Sequence, residues 1–136
     1  MTALSSDKNT PQRSGERRSL LVAAATVIYA GAMVALNAAG NAVPVTTALN
    51  LKGVGRAERR ADNSGGAAGD ISVDVSAGIF RFANSAAADA ITQADIGADC
   101  YGVDDQTVAK TNGGGTRSAV GKVFDVDAQG VWVKFS

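Results

Sequence analysis

The sequence predicts an all-β fold: a small β-barrel, β-tulip or sandwich with one short helical turn and an extended N-terminal arm. Three observations carry that expectation. Sixteen Gly against two Pro in 136 residues supply many turns and few rigid breaks. Short runs rich in Val, Ile and aromatic residues recur between those turns, as the strands of a sandwich or barrel do. Finally, "NAAG" at 37–40 and "DAQG" at 127–130 share one turn grammar, and each lies between apolar runs. Asn or Asp at the first position and Gly at the fourth mark a type I turn closing a hairpin. A chain of this length holds one domain with one core plus an arm, here divided into residues 1–26 and 27–136.

Taken in order, residues 1–19 are polar, unpatterned and rich in turn formers, either a disordered tail or an arm that orders against a partner. From Ser19 to Leu51 no residue is charged. Two readings of this stretch compete. Arg17 and Arg18 before an apolar run, with "AAG" at 38–40 as a small-residue cleavage site, resemble an export signal. The run Leu20–Leu36 is short for a membrane span, which takes about 20 apolar residues. Against both stand Val27, Ile28, Tyr29 and Val34, which suit a pleated surface, and the hairpin turn that follows them.

Residues 54–63, "VGRAERRADN", alternate loosely and suit a strand with its charges outward, and 64–70 form a flexible loop tip. "DISVDVS" at 70–76 alternates cleanly, with Ile71, Val73 and Val75 on one face. "IFRFAN" at 79–84 follows a tight connection and places Phe80 and Phe82 together. In 85–97, Thr92 and Asp95 have capping-box spacing and Gly97 is a stop, so one helical turn is expected. "CYGVDD" and "TVAK" read as short strands, "TNGGGTRS" at 111–118 as a loop, and the C-terminal segment as a hairpin. That hairpin sets Val131, Val133 and Phe135 on one face, with Trp132 opposite.

Formal charge is zero but unevenly spread: residues 1–62 carry eight basic and four acidic side chains, residues 63–136 five and nine. Arg56, Arg59 and Arg60 are too few, and too closely interleaved with Glu58 and Asp62, for the counterion release that nucleic-acid binding needs. A protein partner suits them better. The lone Cys100 allows no internal disulfide and reads as a small buried residue. The absence of His removes the commonest general base and metal ligand. Neither "SGGAAGD" nor "TNGGGTRS" ends in the Gly-Lys-Ser/Thr that holds phosphate and magnesium. The pairs Asp104/Asp105 and Asp125/Asp127 lack the ligand count of a calcium loop and read as turn residues. No catalytic residue, cofactor or metal site is expected, and the chain is not read as an enzyme.

The run "ITQADIGADCYGVDDQTVAKTNGGGTRSAVGKVFDVDAQGVWVKF", 91–135, resembles the small head-decoration (capsid cement, or minor capsid) proteins of Mu-like tailed phages. The shared features are "ITQADIG", an aromatic followed by "VDDQTV", a Gly-rich loop with "TRSAVGKV", and a closing "GVWV". "VIYAGAMVALNAAGNAVPV", 27–45, resembles that family's opening hairpin: a short "YAG" strand, a turn, and a strand through Pro44. The resemblance implies a structural virion protein, made in the host cytoplasm, that binds the outer surface of an icosahedral capsid. It implies a homotrimer bridging subunits of the major capsid protein, with neither nucleic acid nor membrane as partner. Residues 27–45 would then be retained as part of the domain. The alternative is an exported envelope or periplasmic β-domain with a signal or anchor at about 17–40. Expected partner contacts are Arg13, Arg17 and Arg18 from the arm, and Arg56, Arg59 and Arg60 from the domain.

Overall fold

The computed structural model describes residues 2–13 and 15–135. Within them the all-β expectation holds: twelve strands and two isolated 3₁₀ turns make up the regular structure. The N-terminal half supplies β1 (Arg17–Leu21), β2 (Thr26–Ile28), β3 (Met33–Leu36), β4 (Ala42–Pro44), β5 (Lys52–Ala57), β6 (Ala61–Asn63) and β7 (Ser72–Ser76). Five of these form a sheet in the order β1-β7-β5-β3-β4, and β2 pairs with β6. The C-terminal half supplies β8 (Gly78–Asn84), β9 (Asp99–Gly102), β10 (Thr107–Ala109), β11 (Ala119–Asp127) and β12 (Gly130–Phe135). They close a barrel in the order β10-β8-β12-β11-β9. Closure leaves that sheet without an open edge, the liability of small β folds.

The uncharged stretch is therefore sheet. It is distributed over four strands, because Gly and Ala breaks interrupt it before any element grows long. Among the described residues no helix is long and apolar enough to cross a membrane. Several boundaries differ from the expectation. Residues 2–13 are exposed and lack regular structure, but the expected arm of 1–26 stops short, because Arg17–Leu21 pairs antiparallel with β7. Tyr29–Gly31 is a turn rather than a strand, closed by Ala32 N–H on the Tyr29 carbonyl at 3.1 Å. Its neighbour β2 pairs with β6, not with β3. Residues 54–63 break into β5 and β6. The tight connection expected before 79–84 is there, and at Ala77 the chain passes from the five-stranded sheet into the barrel.

Each face of the five-stranded sheet buries a separate core. On one side Val34, Ala42, Val54, Ala57, Val73 and Val75 pack beneath Ile28 and Ala61 of the β2–β6 pair. On the other, Met33 and Ala35 join Phe82, Cys100, Val108, Val123, Val131, Val133 and Phe135 of the barrel. Full burial of a Val or Met side chain stabilises by about 1.5–3 kcal/mol. Met33, fully buried between the layers, couples them. Polar links do the same: Met33 N–H donates to the Asp105 carbonyl at 2.8 Å, and the Ser118 hydroxyl donates to the Ala48 carbonyl at 2.7 Å. The sheet and the barrel share the second of these cores and are pinned together at several points.

The turns explain the register. Asn37 Oδ1 accepts from Ala39 and Asn41 N–H, both at 3.0 Å, and Gly40 takes φ +85°, as a type I turn with a following bulge requires. The second turn is shorter than its shared grammar implies, because Asp127 pairs directly with Gly130. Gly130 serves close approach there: a Cβ would lie 2.3 Å from the Phe82 carbonyl oxygen on β8. In 85–97 the chain makes two 3₁₀ turns, Ala87–Asp89 and Gln93–Asp95, and the second carries the expected Thr92/Asp95 capping box.

Candidate functional site

The arginines expected to meet a partner converge on one end of the molecule only in part. In register, Arg17 of β1 lies opposite Ser76 of β7, which lies opposite Arg56 of β5. All three therefore occupy the barrel-side face of the sheet, beyond the barrel's own footprint. Arg18 alternates to the other face, opposite Val75. Glu58 binds this row together, with Arg56 Nη2 donating to Glu58 Oε1 at 2.9 Å. Hydrogen bonds from Ser76 and Arg56, reinforced by the charges of Arg56 and Arg17, hold the Glu58 carboxyl below its usual value.

Arg59 and Arg60 are engaged by local acids, Arg59 with Asp74 at 2.8 Å and Arg60 with Asp62 at 3.8 Å. Arg60 also lies over the exposed Tyr29 ring, 5.5 Å from its centroid. Exposed pairs of this kind are worth about 0–1 kcal/mol each. Arg13 lies in the exposed N-terminal segment, away from this cluster in the chain.

Sequence reasoning missed a second cation. The Arg56 guanidinium stacks 4.3 Å from the centroid of Phe80, on the first barrel strand. Next along β8, Arg81 points to the outer barrel face, where its guanidinium lies 5.7 Å from the Trp132 ring centroid. Trp132 is held in turn by Nε1–H donating to Asp127 Oδ2 at 2.9 Å. That bond, together with the Gln129 and Gly130 N–H groups, keeps the Asp127 carboxyl below its usual value. Both stacked arginines line an open cleft of about 470 Å³, together with Gly31, Ile79, Phe80, Phe82 and Trp132. No carboxylate is among its lining residues. The signal in the sequence was the "FRF" alternation, which sends Arg81 to the face opposite Phe80 and Phe82, but strand pairing was needed to set Trp132 beside it.

Among the described residues no group of three or more His, Cys, Asp or Glu side chains converges. Cys100 is buried in the barrel, and desolvation pushes its thiol up to about 12, so it stays protonated and inert. Asp104 and Asp127 accept turn N–H groups, in keeping with the turn reading. Asp89 ties the 3₁₀ segment to the Gly-rich loop through Thr111 and Arg117, which explains its lowered carboxyl without invoking chemistry. What the arrangement offers is two stacked guanidinium groups beside apolar and aromatic side chains. The chain matches no family model, no curated protein and no solved structure.

Proposed function

We propose that this chain is a structural virion protein that attaches to the outside of an icosahedral phage capsid and stabilises it by bridging major capsid subunits as a homotrimer. The observation that carries the reading is the placement of the arm. Residues 2–13 are exposed, and the chain enters the fold at β1, an edge strand of the five-stranded sheet whose residues lie mostly at the surface. Fully extended, twelve such residues reach about 40 Å, far enough to cross onto a neighbouring subunit. Behind the arm stands a unit with two apolar cores, suited to holding subunits at a fixed spacing. The resemblance of 27–45 and 91–135 to head-decoration proteins supports the same reading.

The mechanism is mass action. A protein that binds the assembled lattice and not its separated subunits stabilises the lattice by its binding free energy, RT ln(1 + [L]/Kd). Many copies turn modest contacts into high avidity. The fold also favours retention of residues 17–40: β1, β2 and β3 lie there, and Val22, Ile28, Met33, Val34 and Ala35 are all buried. Cleavage near Gly40, as in the exported alternative, would remove three strands. The test is the temperature at which particles lacking the protein release their DNA, measured with and without added purified protein. A rise that saturates with concentration supports the proposal; an unchanged release temperature with no protein sedimenting on the particles overturns it.

A further inference from the structure

We infer that the cleft lined by Arg56 and Arg81 is the partner-docking surface, and that it receives a carboxylate side chain from an acidic, partly apolar loop of the protein partner; this rests on the docking role proposed above. The chemistry of the cleft selects that occupant. Its lining holds two guanidinium groups and no acid, together with the apolar side chains of Ile79 and Phe80. Each guanidinium is braced on an aromatic ring, Arg56 on Phe80 and Arg81 on Trp132, so its orientation is set before a ligand arrives. A guanidinium has five N–H donors in a planar fork. Glu58 engages Arg56 through Nη2; the charge of Arg81 is felt by the Asp127 carboxylate behind Trp132, but among the described residues no carboxylate lies within ion-pair distance of Arg81. A carboxylate accepts such a fork in two parallel bonds, which a compact ammonium on the partner could not do.

The apolar part of the cleft adds a second requirement. Ile79 is 38% exposed, in register with Lys134 of β12 and two pairs from Trp132 on the same face. Aromatic and Arg residues around an apolar centre are the composition of interface hot spots. The occupant therefore carries an aliphatic side chain next to its acid. By contrast Arg59 and Arg60, expected as contacts, are already matched by Asp74 and Asp62 and lie outside the cleft lining.

The test uses the only Trp, Trp132, as reporter in the full chain. A capped Glu-Glu-Leu-Glu-Glu peptide is titrated against Trp132 fluorescence, with Lys-Lys-Leu-Lys-Lys as the opposite-charge probe. The acidic peptide should give a saturable change that weakens with added salt, and the basic one none. Arg81→Gln and Arg56→Gln should each weaken binding roughly tenfold or more, the loss expected from one charge-assisted partner, while Arg60→Gln leaves it unchanged. Calorimetry repeats the midpoints, because Arg81→Gln alters the reporter's own surroundings. Absence of saturation, equal response to both peptides, or unchanged affinity in both cleft variants would overturn the assignment. Particle attachment separates the two claims: wild-type attachment matched by Arg56→Gln/Arg81→Gln sinks the cleft alone, whereas no wild-type attachment sinks the docking role itself.

Discussion

Gly53→Ala adds one methyl group where β5 of the five-stranded sheet packs directly against the backbone of β11 of the barrel. A Cβ built there lies 2.0 Å from the Val120 carbonyl oxygen and 2.8 Å from its Cα. These are backbone atoms of a barrel strand, so no side chain can swing aside. The layers must separate by more than about 1 Å locally, or β5 must shift against β3, where Gly53 pairs with Ala35. Overpacking of this kind costs about 1–3 kcal/mol. Restricting the unfolded chain returns about 0.4–1 kcal/mol, so the net loss should be about 1–2 kcal/mol. For a domain of this size each kcal/mol moves Tm by roughly 3–5 °C. Urea unfolding followed by circular dichroism reads the free energy, and thermal scans read the shift. Gly65→Ala is the control, since nothing lies within 4 Å of its Cβ position and its φ is not positive. A Gly53→Ala protein as stable as wild type or more so, like a control that gains only the about 0.4–1 kcal/mol of chain restriction, would refute the close sheet-on-barrel packing.

Asn63 is buried, and its Nδ2 donates to the Ala23 and Ala67 carbonyls at 2.9 and 3.0 Å, pinning the loop at 64–70; Asn63→Ala should lose about 1–3 kcal/mol in urea unfolding. Ala25 holds φ +53°, a conformation costly for any residue with a Cβ, so Ala25→Gly should stabilise by about 0.5–1 kcal/mol; destabilisation would contradict the backbone assigned there. Cys100 should resist thiol reagents at pH 8 in the folded protein and react at once in denaturant; rapid native labelling would contradict its burial. Asp127 has a depressed pKa, so its bond to Trp132 stabilises above the usual carboxylate value of 3.8 and is lost as pH falls through the lower folded value. An acid titration of Trp132 fluorescence should show a step below pH 3.8 that Asp127→Asn abolishes; a step at or above that pH would contradict the assignment.

What was legible in the sequence follows from where the physics is local. Turns write themselves into composition, so Asn37–Gly40 and the capping box at Thr92 and Asp95 were readable. Alternation marked the faces of β7, β8 and β12: Val73, Val75, Phe82, Val131, Val133 and Phe135 are buried, while Ile71, just before β7, and Phe80 are only partly so. β1 was not readable. As an edge strand with Arg17, Arg18 and Ser19 exposed, it lacks the apolar period that identifies a half-buried strand. Partnership was hidden as well: β7 and β8 are adjacent in sequence yet belong to different sheets, a choice made by long-range closure of the barrel. The candidate site suffered most. Three of the expected arginines, Arg17, Arg56 and Arg59, do gather around Glu58 and Asp74, but the cleft exists only because β8 pairs with β12 and lays Arg81 beside Trp132.

The docking role is tested most directly on the particle itself. On the proposed function, phage particles produced from the genome that carries this gene, purified on a density gradient and analysed by quantitative mass spectrometry, should contain the protein with residues 17–40 intact. Its copy number should be fixed relative to the major capsid protein. Virions free of the protein, with a product shortened near Gly40 recovered instead from the cell envelope, would contradict the account.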